Sequence, residues 1–131
     1  MTILRQALDK LSPAISFHPT AARTATGNGT AVDVQTYDGD LIFILDSAAA
    51  SAGTNPTLDI KLQSSDTQNG TYGDITGATF TRVTDAAASQ QTLVVSKDEN
   101  RRWFRIVYTI GGTASPSFTF SVNAVGVKKY G

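Results

Sequence analysis

The first side chain in this sequence that could do chemistry is its single histidine, His18. Nucleophilic triads and zinc sites hold a histidine on a rigid scaffold, beside a nucleophile or further ligands. His18 instead precedes Pro19 in a stretch of small polar residues, and no serine or threonine stands in a nucleophile-elbow sequence. The chain has no cysteine, which excludes thiolate nucleophiles, disulfides and cysteine-ligated zinc. We therefore interpret His18 as a solvent-exposed or interface residue.

Carboxylates are the remaining groups that could catalyse a reaction or bind a metal ion. Most of them fall in turn-like sequence, where aspartate is favoured because its side chain bonds the nearby backbone. These residues are Asp38, Asp40, Asp59, Asp66, Asp74, Asp85, Asp98 and Glu99. A glycosidase pair is disfavoured because no aromatic-rich cleft motif accompanies them. A calcium site from Asp66 and Asp74 lacks the EF-hand order of ligands. The sequence predicts no enzyme activity, no metal and no cofactor.

Trp103 is the strongest candidate for a binding surface, because tryptophan and arginine are enriched at interface hot spots. It lies among Arg101, Arg102 and Arg105, which are too few for a nucleic-acid groove. The 11 basic residues are balanced by 11 acidic ones, which disfavours binding to nucleic acid or to an anionic membrane. No segment approaches the roughly 18 apolar residues that cross a bilayer. We predict that Trp103 and Arg105 are interface residues for a protein partner; the alternative for Trp103 is a core position, because aromatic residues within strands are more often buried.

The elements that must position these residues are β-strands. Apolar and polar residues alternate over residues 58–63 and 118–123, which is typical of strands with one buried face. Asp38-Gly39 predicts a hairpin turn before the apolar strand 41–45, and Gly111-Gly112 predicts a turn that pairs the last two strands. About seven strands at roughly 8–12-residue spacing indicate an all-β fold. We predict an antiparallel β-sandwich, or a jelly-roll-like small barrel, over residues 31–131.

Residues 1–30 differ from the rest in composition and are predicted to form an extended N-terminal arm. Apolar residues at helical spacing predict a short helix over residues 2–11. The remainder is small, polar and turn-rich, so it lacks a core of its own. Ile15, Phe17 and His18 are then the arm residues expected to contact a partner.

The strand at residues 41–45 is continuously apolar, so both of its faces should be covered. One face can pack in the core, and the other needs the arm or a second subunit. Ile42 and Phe43 are the candidate interface residues on these two faces. We therefore predict a homo-oligomer.

Several segments together resemble the head decoration, or cement, proteins of tailed phages and prophages. They are LDIKLQSSD (58–66), GTY (70–72), ITGATF (75–80), RRWFRIV (101–107) and SFTFSVNAV (117–125). The resemblance covers roughly residues 30–130. It implies a β-sandwich without catalytic residues that docks on the outside of a capsid and clamps adjacent capsomers.

In that role the partner is the major capsid protein, and the location is the exterior of the virion. By analogy with other decoration proteins, a trimer is favoured over a dimer. The first ten residues lack the apolar stretch of a signal peptide, so synthesis in the host cytoplasm is expected. The alternative function is a carbohydrate-binding or adhesin-like module on a phage head or tail, and a small hydrolase ranks third.

Overall fold

The computed structural model describes residues 14–98 and 100–128, which form one antiparallel β-sheet folded into two layers. Its strands are β1 (Ile15–Arg23), β2 (Gly27–Asn28), β3 (Val32–Asp33), β4 (Tyr37–Ser47), β5 (Ala52–Ser65), β6 (Gly73–Thr79), β7 (Ser89–Ser96) and β8 (Trp103–Lys128). The described ranges contain no helix, and hence none that could span a lipid bilayer. The predicted all-β antiparallel fold is confirmed.

The long strand β8 organises the sheet, because it belongs to both layers. Its first half pairs with β5, from Ser65↔Trp103 to Thr57↔Gly111, and its second half pairs with β4. Backbone hydrogen bonds continue the ladder between the two regions, with the Ala48 amide donating to the Thr119 carbonyl at 3.0 Å. The β4–β5 segment and β8 therefore run side by side and cross between the layers together.

The crossing is a bend that both strands share. In β8, Gly112 has φ of +109°, and Ala114 and Ser115 also have positive φ. In β5, Gly53 has φ of +108° opposite this region. A Cβ at Gly112 would lie 2.8 Å from the Asn55 carbonyl oxygen, so the close approach of the strands requires glycine there.

The predicted turn at Gly111-Gly112 is therefore wrong. Residues 103–110 and 118–128 do not pair with each other; they are successive parts of one strand. Both parts already have hydrogen-bonded partners in β4 and β5, so the positive-φ residues bend the ladder instead of reversing the chain.

The two layers enclose an apolar core. Sheet one contains β1, residues 118–128 of β8, β4 and β7, and sheet two contains β2, β3, residues 103–113 of β8, β5 and β6. The largest fully buried apolar side chains are Phe17, Phe43, Phe104, Phe118, Phe120, Leu41, Leu45, Leu58, Ile60, Leu62 and Ile106. Many of them alternate with outward-facing neighbours along β4, β5 and β8, as the sequence pattern predicted.

The region that was predicted to be an N-terminal arm is part of the domain where the structure describes it. Strand β1 pairs with β8 from Ile15↔Ala124 to Arg23↔Phe118, and β2 pairs with the first half of β8. The arm and the domain boundary near residue 31 are therefore corrected for residues 14–30. These residues are ordered without a core of their own, because their backbone hydrogen-bonds to the free edge of β8. The helix predicted over residues 2–11 lies outside the described residues.

The Asp38-Gly39 pair also has a different role from the predicted hairpin turn. The chain reverses earlier, where the Tyr37 amide donates to the Val34 carbonyl at 3.1 Å. Gly39 lies inside β4 with φ of +68°, at a register shift between Asp38 and Ile42. The glycine therefore forms a β-bulge in a continuous strand.

A side chain bridges the gap between β7 and the chain just after the end of β6. Gln91 Oε1 accepts from the Thr81 backbone amide at 2.7 Å, and Gln91 Nε2 donates to the Thr81 carbonyl at 2.8 Å. The amide thus reproduces the pair of bonds that a neighbouring strand would make. It brings the sheet close to a closed barrel.

We predict that Gln91→Ala lowers the free energy of unfolding by about 1 kcal/mol, because both hydrogen bonds to Thr81 are lost. Urea unfolding followed by the fluorescence of the single tryptophan would measure the change. Gln90→Ala is the matched control, since Gln90 is exposed on the same strand. Equal stability of the two variants would contradict this role of Gln91.

Candidate functional site

The outer face of sheet one carries large apolar side chains in solvent. Ile42 is 43% exposed, Ile44 39% and Val94 60%. The register places Ile42 of β4 opposite Val94 of β7 on one side and Val125 of β8 on the other. Val94, Ile42 and Val125 therefore form a row across three strands, which we call the apolar row. This apolar cluster on a sheet face is a candidate interaction surface.

The apolar row lies in a groove of about 690 Å³. Its floor consists of the apolar row and Val127. Three carboxylates line the rim and are contributed by Asp38, Asp40 and Asp98. We call this feature the acidic groove.

The rim is held together by contacts between the bulge of β4 and the end of β7. The Gly39 amide donates to Asp98 Oδ2 at 3.0 Å, and the Lys97 amide donates to the Gly39 carbonyl at 2.8 Å. Lys97 Nζ lies 3.5 Å from Asp98 Oδ1. Among the described residues, the Asp38 and Asp40 carboxylates have no hydrogen-bond or ion-pair partner. The groove therefore has a fixed rim with two carboxylates free to receive a ligand.

The outer face of sheet two differs, because its charged groups are paired with one another. Arg105 donates from Nε and Nη2 to Gln63 Oε1 at 3.0 and 2.9 Å, and its guanidinium lies 4.0 Å from the centre of the Tyr72 ring. Gln63 Nε2 donates to Asp74 Oδ1 at 2.8 Å, and Lys61 donates to Asp74 Oδ2 at 3.0 Å. Both hydrogen bonds lower the pKa of the Asp74 carboxyl, and the bond from Gln63 has the larger effect.

Trp103 is half-buried at the start of β8. Arg102 lies 5.7 Å from the centre of its ring and donates to both carboxylate oxygens of Asp33, the shortest distance being 2.8 Å. The hydrogen bonds from Arg102 lower the pKa of Asp33. The arginines near Trp103 are thus already engaged within the chain, which limits what they can offer to a partner.

The residues predicted to form an interface divide between surface and core. Ile42 is exposed, whereas Phe43 is fully buried and packs edge-to-face on Phe17 with ring centres 4.9 Å apart. Phe17 is 1% exposed, so neither phenylalanine can contact a partner, and both assignments are corrected. Ile15 is half-buried against the core. The strand alternation of residues 41–45 could have separated Ile42 from Phe43, but β1 offered no comparable pattern.

His18 lies in the core, so its predicted exposure is wrong. Its ring stacks on Phe120 at 4.2 Å, meets Tyr108 edge-on at 5.3 Å, and is 1% exposed. Nε2 accepts a hydrogen bond from Arg23 Nε at 2.9 Å, which assigns the proton of the neutral ring to Nδ1. Nδ1 has no hydrogen-bond partner among the described residues. Burial, and then the charge of Arg23, lower the pKa of His18 below its ordinary value of 6.5.

The calcium site that the sequence analysis considered and disfavoured would need Asp66 and Asp74 to lie together. In the described ranges, no three histidine, aspartate or glutamate side chains lie together as they would to hold a metal ion. Asp74 contacts Lys61 and Gln63, whereas Asp66 lies 3.9 Å from Arg101. Asp66 and Asp74 therefore contact different residues and do not form a shared calcium site. The sequence analysis missed the acidic groove, since the bulge and the β7 register that build it are long-range features.

Comparison with known proteins shows the fold alone. No protein-family model matches the chain, and no curated protein sequence matches it. The CBM22-1 xylan-binding domain of Paenibacillus barcinonensis Xyn10C is similar in structure, with a TM-score of 0.50, 13% identity, and coverage of 92% of this chain and 96% of that domain. VP2 of infectious bursal disease virus, solved as a subviral particle, has a TM-score of 0.50 and 14% identity, and the match covers 92% of this chain and 34% of VP2. The chain therefore has a two-layered antiparallel fold that also occurs in a sugar-binding domain and in a virus-particle protein.

We predict that acidification destabilises the protein through His18. Above about pH 6.5 the ring is neutral in both folded and unfolded chains. As the pH falls below 6.5, the unfolded chain takes up the proton first, so the free energy of unfolding decreases until the lower folded pKa is passed. Urea unfolding between pH 7.5 and pH 5.5 would show this loss. His18→Phe, which keeps a ring on Phe120, should flatten the dependence, and parallel slopes for the two proteins would contradict the prediction.

We predict opposite consequences for aspartate at two neighbouring positions of β4. Phe43→Asp should destabilise the fold by about 4 kcal/mol or more, because it empties a core site and buries a charge. Ile42→Asp should cost about 1 kcal/mol or less, because the side chain faces solvent. Urea unfolding of both variants would measure the difference. Severe destabilisation by Ile42→Asp would show that its side chain supports the core after all.

Proposed function

We propose that this chain is a structural protein of a virus particle, namely a decoration protein that binds the outside of a tailed-phage head and stabilises contacts between capsomers. In this role it acts without catalysis, and its partner is the major capsid protein. The observation that carries the proposal is the apolar row on the outer face of sheet one. The resemblance of the five sequence segments to decoration proteins supports it, and the fold, which also occurs in a virus-particle protein, is compatible with it.

The apolar row suits a protein that works by burying surface. Its exposed side chains, and that of the neighbouring Ile44, are β-branched and stand on paired strands. They therefore lose little conformational freedom when a partner covers them. Each of these side chains is already roughly half buried, so covering it contributes about 1 kcal/mol, a part of the roughly 1.5–3 kcal/mol that complete burial of such a side chain contributes. On a symmetric shell, many copies make such contacts, and a ligand that binds only the assembled shell stabilises it by mass action.

We also propose that copies of the chain associate on the head, with a trimer favoured over a dimer by analogy with other decoration proteins. Among residues 41–45 only Ile42 and Ile44 face outward. The apolar surface that β4 offers to a second subunit is therefore smaller than the continuously apolar sequence suggested. A three-fold ring joins two different surfaces of neighbouring subunits. Such an arrangement does not require the acidic grooves of two copies to face each other.

A carbohydrate-binding module is the second candidate function. Tyr72 and Trp103 are half-buried aromatic residues on the side of sheet two, and aromatic rings can stack on sugars. Each ring already has an arginine over one face, Arg105 on Tyr72 and Arg102 on Trp103. At most one face of each ring is then available to a sugar, so we rank this function below the structural role.

We predict that heads lacking this protein assemble but release DNA at a lower temperature, and that added wild-type protein restores the loss. Ile42→Asp should bind such heads at least about tenfold more weakly, since it places a charge where an apolar side chain would be buried. Val107→Asp is the matched control, because Val107 lies on the outer face of sheet two. Binding would be measured by co-sedimentation with heads and release by thermal DNA-dye fluorescence.

Two outcomes would overturn the proposal. Heads without the protein that survive heating as well as complete heads would remove the stabilising role. Binding that is lost in Val107→Asp and in Trp103→Ala, but kept in Ile42→Asp, would move the interface to sheet two. Binding of the wild type to a glycan array, abolished by Trp103→Ala, would then favour the carbohydrate alternative.

A further inference from the structure

The acidic groove combines two properties that together specify the chemistry of an occupant. Its floor is apolar and open to solvent at Ile42 and Val94. Its rim carries Asp38, Asp40 and Asp98, although the chain as a whole has no net charge. The rim is therefore a local concentration of negative charge beside an exposed apolar surface.

The lysine that contacts the rim offsets its negative charge only in part. Lys97 Nζ contacts Asp98, and the Lys97 side chain is 12% exposed, so it is largely committed within the chain. The Asp38 and Asp40 side chains face outward, and within the described ranges their carboxylates form no hydrogen bond or ion pair. These two carboxylates are the groups that an incoming cation would meet.

We propose that the acidic groove binds a short basic segment of a partner protein, with an aliphatic side chain on the floor and lysine or arginine side chains against Asp38 and Asp40. The floor crosses three strands about 4.8 Å apart, and side chains on one face of an extended segment recur about every 7 Å. A segment that alternates aliphatic and basic residues therefore turns its aliphatic side chains to the floor, and its long lysine and arginine stems can bend sideways to reach the rim carboxylates. The inference rests on the proposed function in naming the capsid protein as the source of this segment.

A second copy of the chain seated groove to groove is a poorer occupant. A two-fold contact would place the three rim carboxylates of one copy against those of the other, and facing like charges oppose association. An acidic or purely apolar segment would leave the rim unpaired in the same way. Charge complementarity thus selects a basic partner.

The test uses three synthetic peptides and the full isotope-labelled chain in solution, without heads. KVKVRVK carries both features, KSKSRSK lacks the aliphatic side chains, and EVEVDVE reverses the charge. Amide chemical shifts would report the site, and titration would report the affinity. We expect KVKVRVK to bind most tightly of the three and to shift the amides of residues 38–42, 94 and 125–127.

Matched charge variants distinguish binding at the acidic groove from non-specific attraction between the basic peptide and the protein surface. The double variant Asp38→Asn/Asp40→Asn should weaken KVKVRVK by about tenfold, the amount that two exposed ion pairs allow. Asp66→Asn/Asp85→Asn removes the same charge elsewhere and should leave the affinity unchanged. Equal weakening by both variants, shifts scattered over the surface, or equal affinity for KSKSRSK would overturn the inference.

Head binding distinguishes this inference from the proposed function. If Ile42→Asp loses head binding while the peptides show no preference for the groove, the basic segment is wrong and the decoration role stands. If KVKVRVK binds the groove selectively while heads bind the wild type and Ile42→Asp equally, the groove recognises a basic segment of another partner, and both the capsid protein as its source and sheet one as the head-binding face are overturned.

Discussion

The structure depends on one constraint, which is that β8 and the β4–β5 segment keep their hydrogen-bond ladder while both pass from one layer to the other. A ladder that broke at the crossing would leave backbone groups without partners, so the two strands must bend at the same place. Glycines and left-handed residues on both strands make this shared bend. Once this bend forms, the inner faces of the two layers pack on each other, and no separate connection between the layers is needed.

The same constraint explains why the N-terminal region is ordered where the structure describes it. Because β8 contributes to both layers, it presents a second edge along each half, and β1, β2 and β3 occupy those edges. Strand β1 places Phe17 and His18 in the aromatic core. The burial of an ionisable ring beside Arg23 follows from strand pairing and makes this part of the core sensitive to acid.

The outer surfaces then divide the molecule into two unlike faces. On sheet two, Arg105, Gln63, Asp74 and Lys61 satisfy one another, so that face is already paired in the free protein. On sheet one, the apolar row and the Asp38 and Asp40 carboxylates remain without partners among the described residues. A surface that leaves both apolar side chains and unpaired carboxylates in solvent in the single chain is the better candidate for assembly.

Local patterns in the sequence predicted the strands, because alternation of apolar and polar residues reports one buried face. They could also separate Ile42 from Phe43 once β4 is treated as an alternating strand. Long-range pairing decided the remaining features. Asp38-Gly39 has the sequence of a turn, but β7 and β8 pair with β4 on both sides of it, which converts the turn into a bulge. His18 has polar neighbours in sequence and aromatic neighbours only after β1 joins β8.

The proposed decoration role requires the outer face of sheet one to contact the particle. Hydroxyl-radical footprinting of the protein, free and bound to heads, examines this contact without any mutation, since it labels exposed aliphatic and aromatic side chains. We expect labelling of Ile42, Ile44 and Val94 to fall on heads while labelling of Tyr72 and Trp103 stays as in the free protein. Protection of Tyr72 and Trp103, with Ile42 and Val94 labelled as before, would contradict it.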